Sequence, residues 1–114
     1  MTHDDVAIFC LQLPGAREDV KWGGVRVFSV AENKMFATLN LAGPSLCFKV
    51  DKELFLSHVD RPGVRPAPYL ARASWVSVEW PFSLSANELQ ALLQGSHQLV
   101  ASKLPKRVRV GLLL

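Results

Sequence analysis

At 114 residues, 49% hydrophobic and 20% charged, the chain is long enough to bury roughly two-thirds of its unfolded surface in one core and too apolar to stay disordered. Cys10 and Cys47 sit in apolar-periodic segments with no signal peptide before them, which predicts free thiols in a reducing cytoplasmic setting, and no apolar run approaches the ~20 residues of a membrane span. The net charge of +3 is unevenly split, because residues 1–60 carry six Lys/Arg against eight Asp/Glu, whereas residues 61–114 carry seven against two.

The first segment predicts a helix. Thr2-His-Asp-Asp5 has capping-box form, and Asp4 and Asp5 suit the positive end of a helix dipole. Val6, Phe9, Cys10 and Leu13 then recur at helical spacing as one apolar stripe, which Pro14-Gly15 ends. Arg17 to Asp19 reads as polar and exposed, and Lys21-Trp22-Gly23-Gly24 as a turn or short edge segment. Three strands follow at hairpin spacing, the first from Val25 to Val30. In the second, Lys34 to Leu41, the residues Met35, Ala37, Leu39 and Leu41 face away from Phe36, Thr38 and Asn40; in the third, Leu46, Phe48 and Val50 alternate with Cys47 and Lys49. A single layer cannot bury its own apolar side, so helices must cover one face of this meander. Asp51 is placed to cap a short helix over Lys52 to Val59.

Arg61 to Trp80 crowds three prolines, three arginines and three large aromatics together. Pro62, Pro66 and Pro68 fix their own φ and push the preceding residues towards extended geometry, so the stretch predicts a stiff, non-helical path. It leads into a strand, Trp75 to Trp80, with Val76, Val78 and Trp80 on one face. Trp80 reads as core, whereas Tyr69 and Trp75, beside Arg65 and Arg72, admit two readings: core packing or an interface for a ligand or partner. Ser85-Ala-Asn-Glu88 is a second capping box, with Leu84 and Leu89 placed as a hydrophobic staple. Gly95-Ser96 predicts a break or kink before a last helix, and Pro105 should release Lys106 to Arg109 as an extended segment. The expected order, α-β-β-β-α-loop-β-α-α, is a single α+β domain in two layers, an antiparallel sheet packed on helices.

Little in the chain suggests catalysis. His3, His58 and His97 lack metal-ligand spacing, no phosphate-cradling glycine loop is present, neither cysteine sits where a nucleophile would, and no serine lies in a Gly-x-Ser-x-Gly elbow. The expectation is a protein that is not an enzyme and uses neither metal nor cofactor. The cations form two groups, Arg61, Arg65 and Arg72, then Lys103, Lys106, Arg107 and Arg109, and read either as a solvated surface or as a binding patch.

Leu13-Pro-Gly-Ala16, Lys34-Met-Phe-Ala37, Pro62 to Arg72 followed by Trp75-Val76, and Leu99-Val100 leading into Lys103-Leu-Pro-Lys106 resemble, in order and spacing, the MmcQ/YjbR-like family of small bacterial proteins. The chain departs from the common pattern at Ser74, where a basic residue or histidine often precedes the tryptophan, and at His97, where tyrosine is more usual. The resemblance implies a secretion-chaperone-like fold and a DNA-binding protein.

Two functions are therefore expected side by side. In the first, Arg61, Arg65, Arg72, Lys103, Lys106, Arg107 and Arg109 contact DNA phosphates without reading bases. In the second, the domain is a protein-interaction module, chaperone-like or adaptor-like, with Tyr69 and Trp75 as interface anchors beside the arginines.

Overall fold

Residues that alternate in the sequence meet side by side in space: Leu39 lies opposite Leu46 and Leu46 opposite Val78, all three without exposed surface. The computed structural model of the protein describes residues 1–43 and 45–114. In chain order it runs α1 (His3–Leu11), β1 (Arg17–Lys21), β2 (Val25–Val30), β3 (Lys34–Asn40), β4 (Ser45–Lys49), α2 (Phe55–Val59), β5 (Val64–Pro66), a 3₁₀ turn (Ala71–Ala73), β6 (Trp75–Glu79), α3 (Ala86–Ala101) and α4 (Lys106–Arg109). The strands form one antiparallel sheet in the order β1-β2-β3-β4-β6-β5, with α3 packed across β3 and β4. The architecture is the expected α+β one, a sheet with helices on it.

The capping box of α1 is complete. The Thr2 hydroxyl accepts from the Asp5 N–H at 3.1 Å and the Asp5 carboxylate accepts from the Thr2 N–H at 2.9 Å, bonds that hold the Asp5 carboxyl below its ordinary value. Val6, Ala7 and Cys10 are buried against the sheet. Burial first, and then the charge of Glu18, push the Cys10 thiol up to about 12.

Two short strands lie beyond the expected order. Arg17 to Lys21 has no apolar alternation, yet it pairs along its whole length with Val25 to Ser29 as β1. Cross-strand chemistry replaces the missing pattern, since Arg26 grips both oxygens of Glu18 at 2.6 and 3.1 Å. β5, with its proline, is an edge strand on β6, where a missing N–H leaves no ladder unfilled.

Alternation fails at one point in β3. Phe28 faces Ala37 but Ser29 faces Met35, so Phe36 has no cross-strand partner and turns into the same core as Ala37 and Leu39 instead of the opposite face. The slip leaves the Phe36 carbonyl to be satisfied elsewhere, and the fully buried Ser96 hydroxyl donates to it at 2.6 Å. The same hydroxyl accepts from the Lys49 N–H at 2.9 Å, fastening α3 to two strands at once.

These bonds explain why Gly95-Ser96 does not break the helix. α3 is continuous for 16 residues, because Ser96 and its fully buried neighbour His97 are both held by tertiary partners. Its N-terminal box is half formed: Ser85 accepts from the Glu88 N–H at 3.2 Å, but the Glu88 carboxylate turns to Arg61. Asp51 accepts from the Glu53 N–H at 2.9 Å, closing a turn that delays α2 until Phe55. Lys106 to Arg109 is not extended, since Pro105 pre-sets the start of one helical turn and accepts from the N–H groups of Val108 and Arg109.

Of the two tryptophans at the ends of the run 75–80, Trp75 follows the core one of its two readings, whereas Trp80, expected in the core, lies outside it. Trp75 is 5% exposed, and the proline loop is fastened to its backbone, the Ala67 N–H donating to the Trp75 carbonyl. Trp80 is 41% exposed because the strand ends at Glu79, and its ring packs instead on His3 and Phe82.

Candidate functional site

Of the seven cations expected to act together, two are already matched. Glu79 and Glu88, the two acids of residues 61–114, hold Arg65 and Arg61 respectively: Arg65 meets Glu79 at 2.8 Å, and Arg61 forms a two-pronged pair with Glu88 whose longer arm is 2.8 Å. That pairing holds the Glu88 carboxyl below its ordinary value. Five cations remain. Lys106, Arg107 and Arg109 sit on α4, where Arg109 donates to the Ser102 carbonyl at 3.1 Å and closes the end of α3. Arg72 and Lys103 lie elsewhere, and they converge.

Their meeting place is a recess of about 310 Å3 beside the exit of β4, which Arg72 and Lys103 share with Lys49 and Lys52. Asp51 and Glu53 border it too, so it keeps a positive balance without being saturated. Burial first, and then the nearby Lys103 ammonium, hold the Lys49 ammonium below its ordinary value. Two ammonium groups are thus kept close at a desolvation cost that an anion between them would offset.

The recess adjoins a larger groove of about 500 Å3 between α2 and α3. Lys49, Val50, Asp51 and Leu99 line both. Leu54, Leu92, Leu99 and Leu113 make the groove apolar, and it follows α3 from Ala91 to Ser102, a run of about 16 Å at 1.5 Å per helical residue. Gly95 lies in the middle of this wall with nothing within 4 Å of where a Cβ would be. A glycine inside a helix weakens it, and here the absent side chain keeps the groove open.

Tyr69 is fully exposed on the proline loop, and its φ of 66° is a backbone strain that no packing of the ring repays. Trp75 is covered and presents no free face. Lys49, Lys52, Leu54, Leu92 and Leu99 carried little signal in the sequence, where Lys49 reads as the outward partner in a strand alternation and the three leucines as helix faces turned to the core, whereas Leu113 belongs to an ending, Val110 to Leu114, that is conspicuously apolar for a tail. The visible sign was Gly95, a helix breaker in a helix that does not break. Among the described residues no three His, Cys, Asp or Glu side chains gather as metal ligands, and no helix is long and apolar enough to cross a membrane.

Comparison with known proteins adds a family to this geometry. The chain is 27% identical to a protein named YjbR of Escherichia coli K12, over 96% of this chain and 95% of that one, and matches its counterpart in strain O157:H7 equally. Among solved structures it resembles Deinococcus radiodurans protein DR2400, a domain described as DUF419, with a TM-score of 0.81, 30% identity, and coverage of 99% of this chain and 89% of the other. A Pseudomonas syringae protein shares the fold at a TM-score of 0.73 and 23% identity, covering 88% of this chain and 99% of that one. The family model described as YjbR matches residues 11–99, a span that takes in the sheet, the proline loop and α3 as far as Leu99 in the groove, and the chain belongs to the YjbR family.

Proposed function

We propose that this chain is a protein-interaction module whose groove between α2 and α3 docks a short, extended segment of a partner protein, one that carries leucine-like side chains and a carboxylate. The observation that carries this reading is the shared wall of the apolar groove and the recess of Lys49, Lys52, Arg72 and Lys103. Apolar anchors supply affinity at such a surface, and the cations supply orientation and encounter rate. A groove of about 16 Å matches four or five residues of extended chain at about 3.3 Å each.

Duplex binding draws less support. It asks for a run of free cations along one track, whereas Arg61 and Arg65 are paired with acids and the remaining five divide between the recess and α4.

The test is fluorescence anisotropy with a labelled heptapeptide alternating leucine and glutamate, run against a labelled DNA duplex. The peptide is expected to bind, to weaken but persist at about 0.3 M salt where exposed charges are largely screened, and to be lost in Gly95→Leu, which fills the groove from its open wall. Equal binding by Gly95→Leu, or tight duplex binding with none of the peptide, overturns the reading in favour of another surface or of nucleic acid.

A further inference from the structure

The groove is partly taken by the chain itself. Beyond α4 the backbone turns at Gly111, with φ of 82°, and residues Leu112 to Leu114 lie along α3 as a strap. The Gln98 carboxamide holds it at two points, its Nε2 donating to the Leu112 carbonyl at 3.0 Å and its Oε1 accepting from the Leu114 N–H at 2.9 Å. Leu112 packs on the core, and a Cβ at Gly15 would collide with it. Leu113, between the two bonded residues, forms part of the groove wall and is 46% exposed.

The fork cannot turn over. Its Nε2 also lies 2.8 Å from His97 Nδ1, while His97 Nε2 is 2.7 Å from the Pro14 carbonyl. A carbonyl only accepts, so Nε2 of His97 carries the hydrogen and Nδ1 accepts from Gln98. Flipping the amide would set donor against donor at Leu114 and oxygen against oxygen at Leu112. Gln98 is thereby a fixed reader of extended backbone, taking the carbonyl of one residue and the N–H of the next but one.

We infer that the partner segment binds by replacing the end of this strap. Its backbone N–H takes over the Gln98 Oε1 that Leu114 now occupies while Leu112 keeps its bond to Nε2, an apolar side chain takes the place of Leu113, and its carboxylate is directed to Lys49 and Lys103. The inference rests on the docking reading above and adds its geometry: the recognised chain is extended, crosses Gln98, and competes with residues 113 and 114.

The decisive measurement is amide hydrogen exchange by NMR on the full chain, with and without the leucine-glutamate heptapeptide. The Leu114 amide is expected to be protected in the free protein and to lose that protection as peptide saturates. A second arm removes residues 113 and 114, which should strengthen peptide binding several-fold with an unchanged thermal midpoint; Gln98→Met in that shortened chain should weaken it again. Peptide that binds while Leu114 stays protected overturns strap replacement and leaves the docking reading standing. An unchanged affinity after the deletion, or after Gln98→Met in the shortened chain, overturns it likewise. Absence of binding to both the full and the shortened chain removes both readings, whereas binding to the shortened chain alone supports the strap as the occupant.

Discussion

Single residues in this protein hold more than their types announce. Ser96 is one hydroxyl satisfying a carbonyl and an N–H on two different strands. Ser96→Ala leaves both groups buried without partners and is expected to lower stability by about 1–3 kcal/mol in urea unfolding at unchanged m-value. Tyr69 is the opposite case. Its ring covers nothing and its backbone is strained by about 1 kcal/mol, so Tyr69→Gly trades that strain against chain entropy and should leave the thermal midpoint unchanged or slightly higher. The fate of Trp75 and Trp80 could not be read from alternation, because period two says which side chains share a face and not where the strand ends. Trp80 leaves the core only because the ladder stops at Glu79.

Among the elements, the legible ones were those whose pattern and punctuation agreed. α1, with its box and stripe, and β2, β3 and β4, with their alternation and turns, lie where the sequence put them. β6 also lies where its alternation put it, whereas β1 was decided by the Glu18–Arg26 grip across its hairpin and the continuity of α3 by contacts of Ser96 and His97 with Phe36, Lys49 and Pro14, far along the chain. A local signal such as Gly95 carries no information about those partners. Its cost is still present in the helix, and Gly95→Ala should raise stability by about 0.5–1 kcal/mol, since nothing lies within 4 Å of the added methyl. Thermal unfolding of the variant checks this, and a drop in the midpoint would mean that the helix needs glycine there for packing.

For the whole molecule, the candidate site is the part that could be read least, because it is assembled from β4, α2, the 3₁₀ turn, α3 and the strap, which sequence order keeps apart. The uneven charge of the two halves was visible, but its division was not: Arg61 and Arg65 find acids, and Arg72 and Lys103 join Lys49 and Lys52 from the first half. The gathering has a proton signature. Lys49 is depressed in the free protein, so just below the ordinary lysine value of about 10.4 it has partly lost its proton. An anionic ligand favours the charged form, and peptide binding in that pH range is expected to take up protons, read by calorimetry in buffers of different ionisation heat, with an uptake that shrinks as the pH is lowered.

The strand order bears on how the molecule comes to exist. Strands β1 to β4 are sequential neighbours joined by short turns, whereas β6 reaches β4 only after the chain from Val50 to Ser74 has been gathered in, pairing Ser45 with Glu79. Closing that loop costs entropy before any contact rewards it, while the hairpins close almost at once. Substitutions such as Val27→Ala, inside the β2–β3 hairpin, should therefore slow folding, and Val78→Ala in β6 should chiefly speed unfolding, as stopped-flow chevrons would separate. The groove borders the segment expected to close late, so on that order of events the surface that would meet a partner is among the last parts of the chain to take shape.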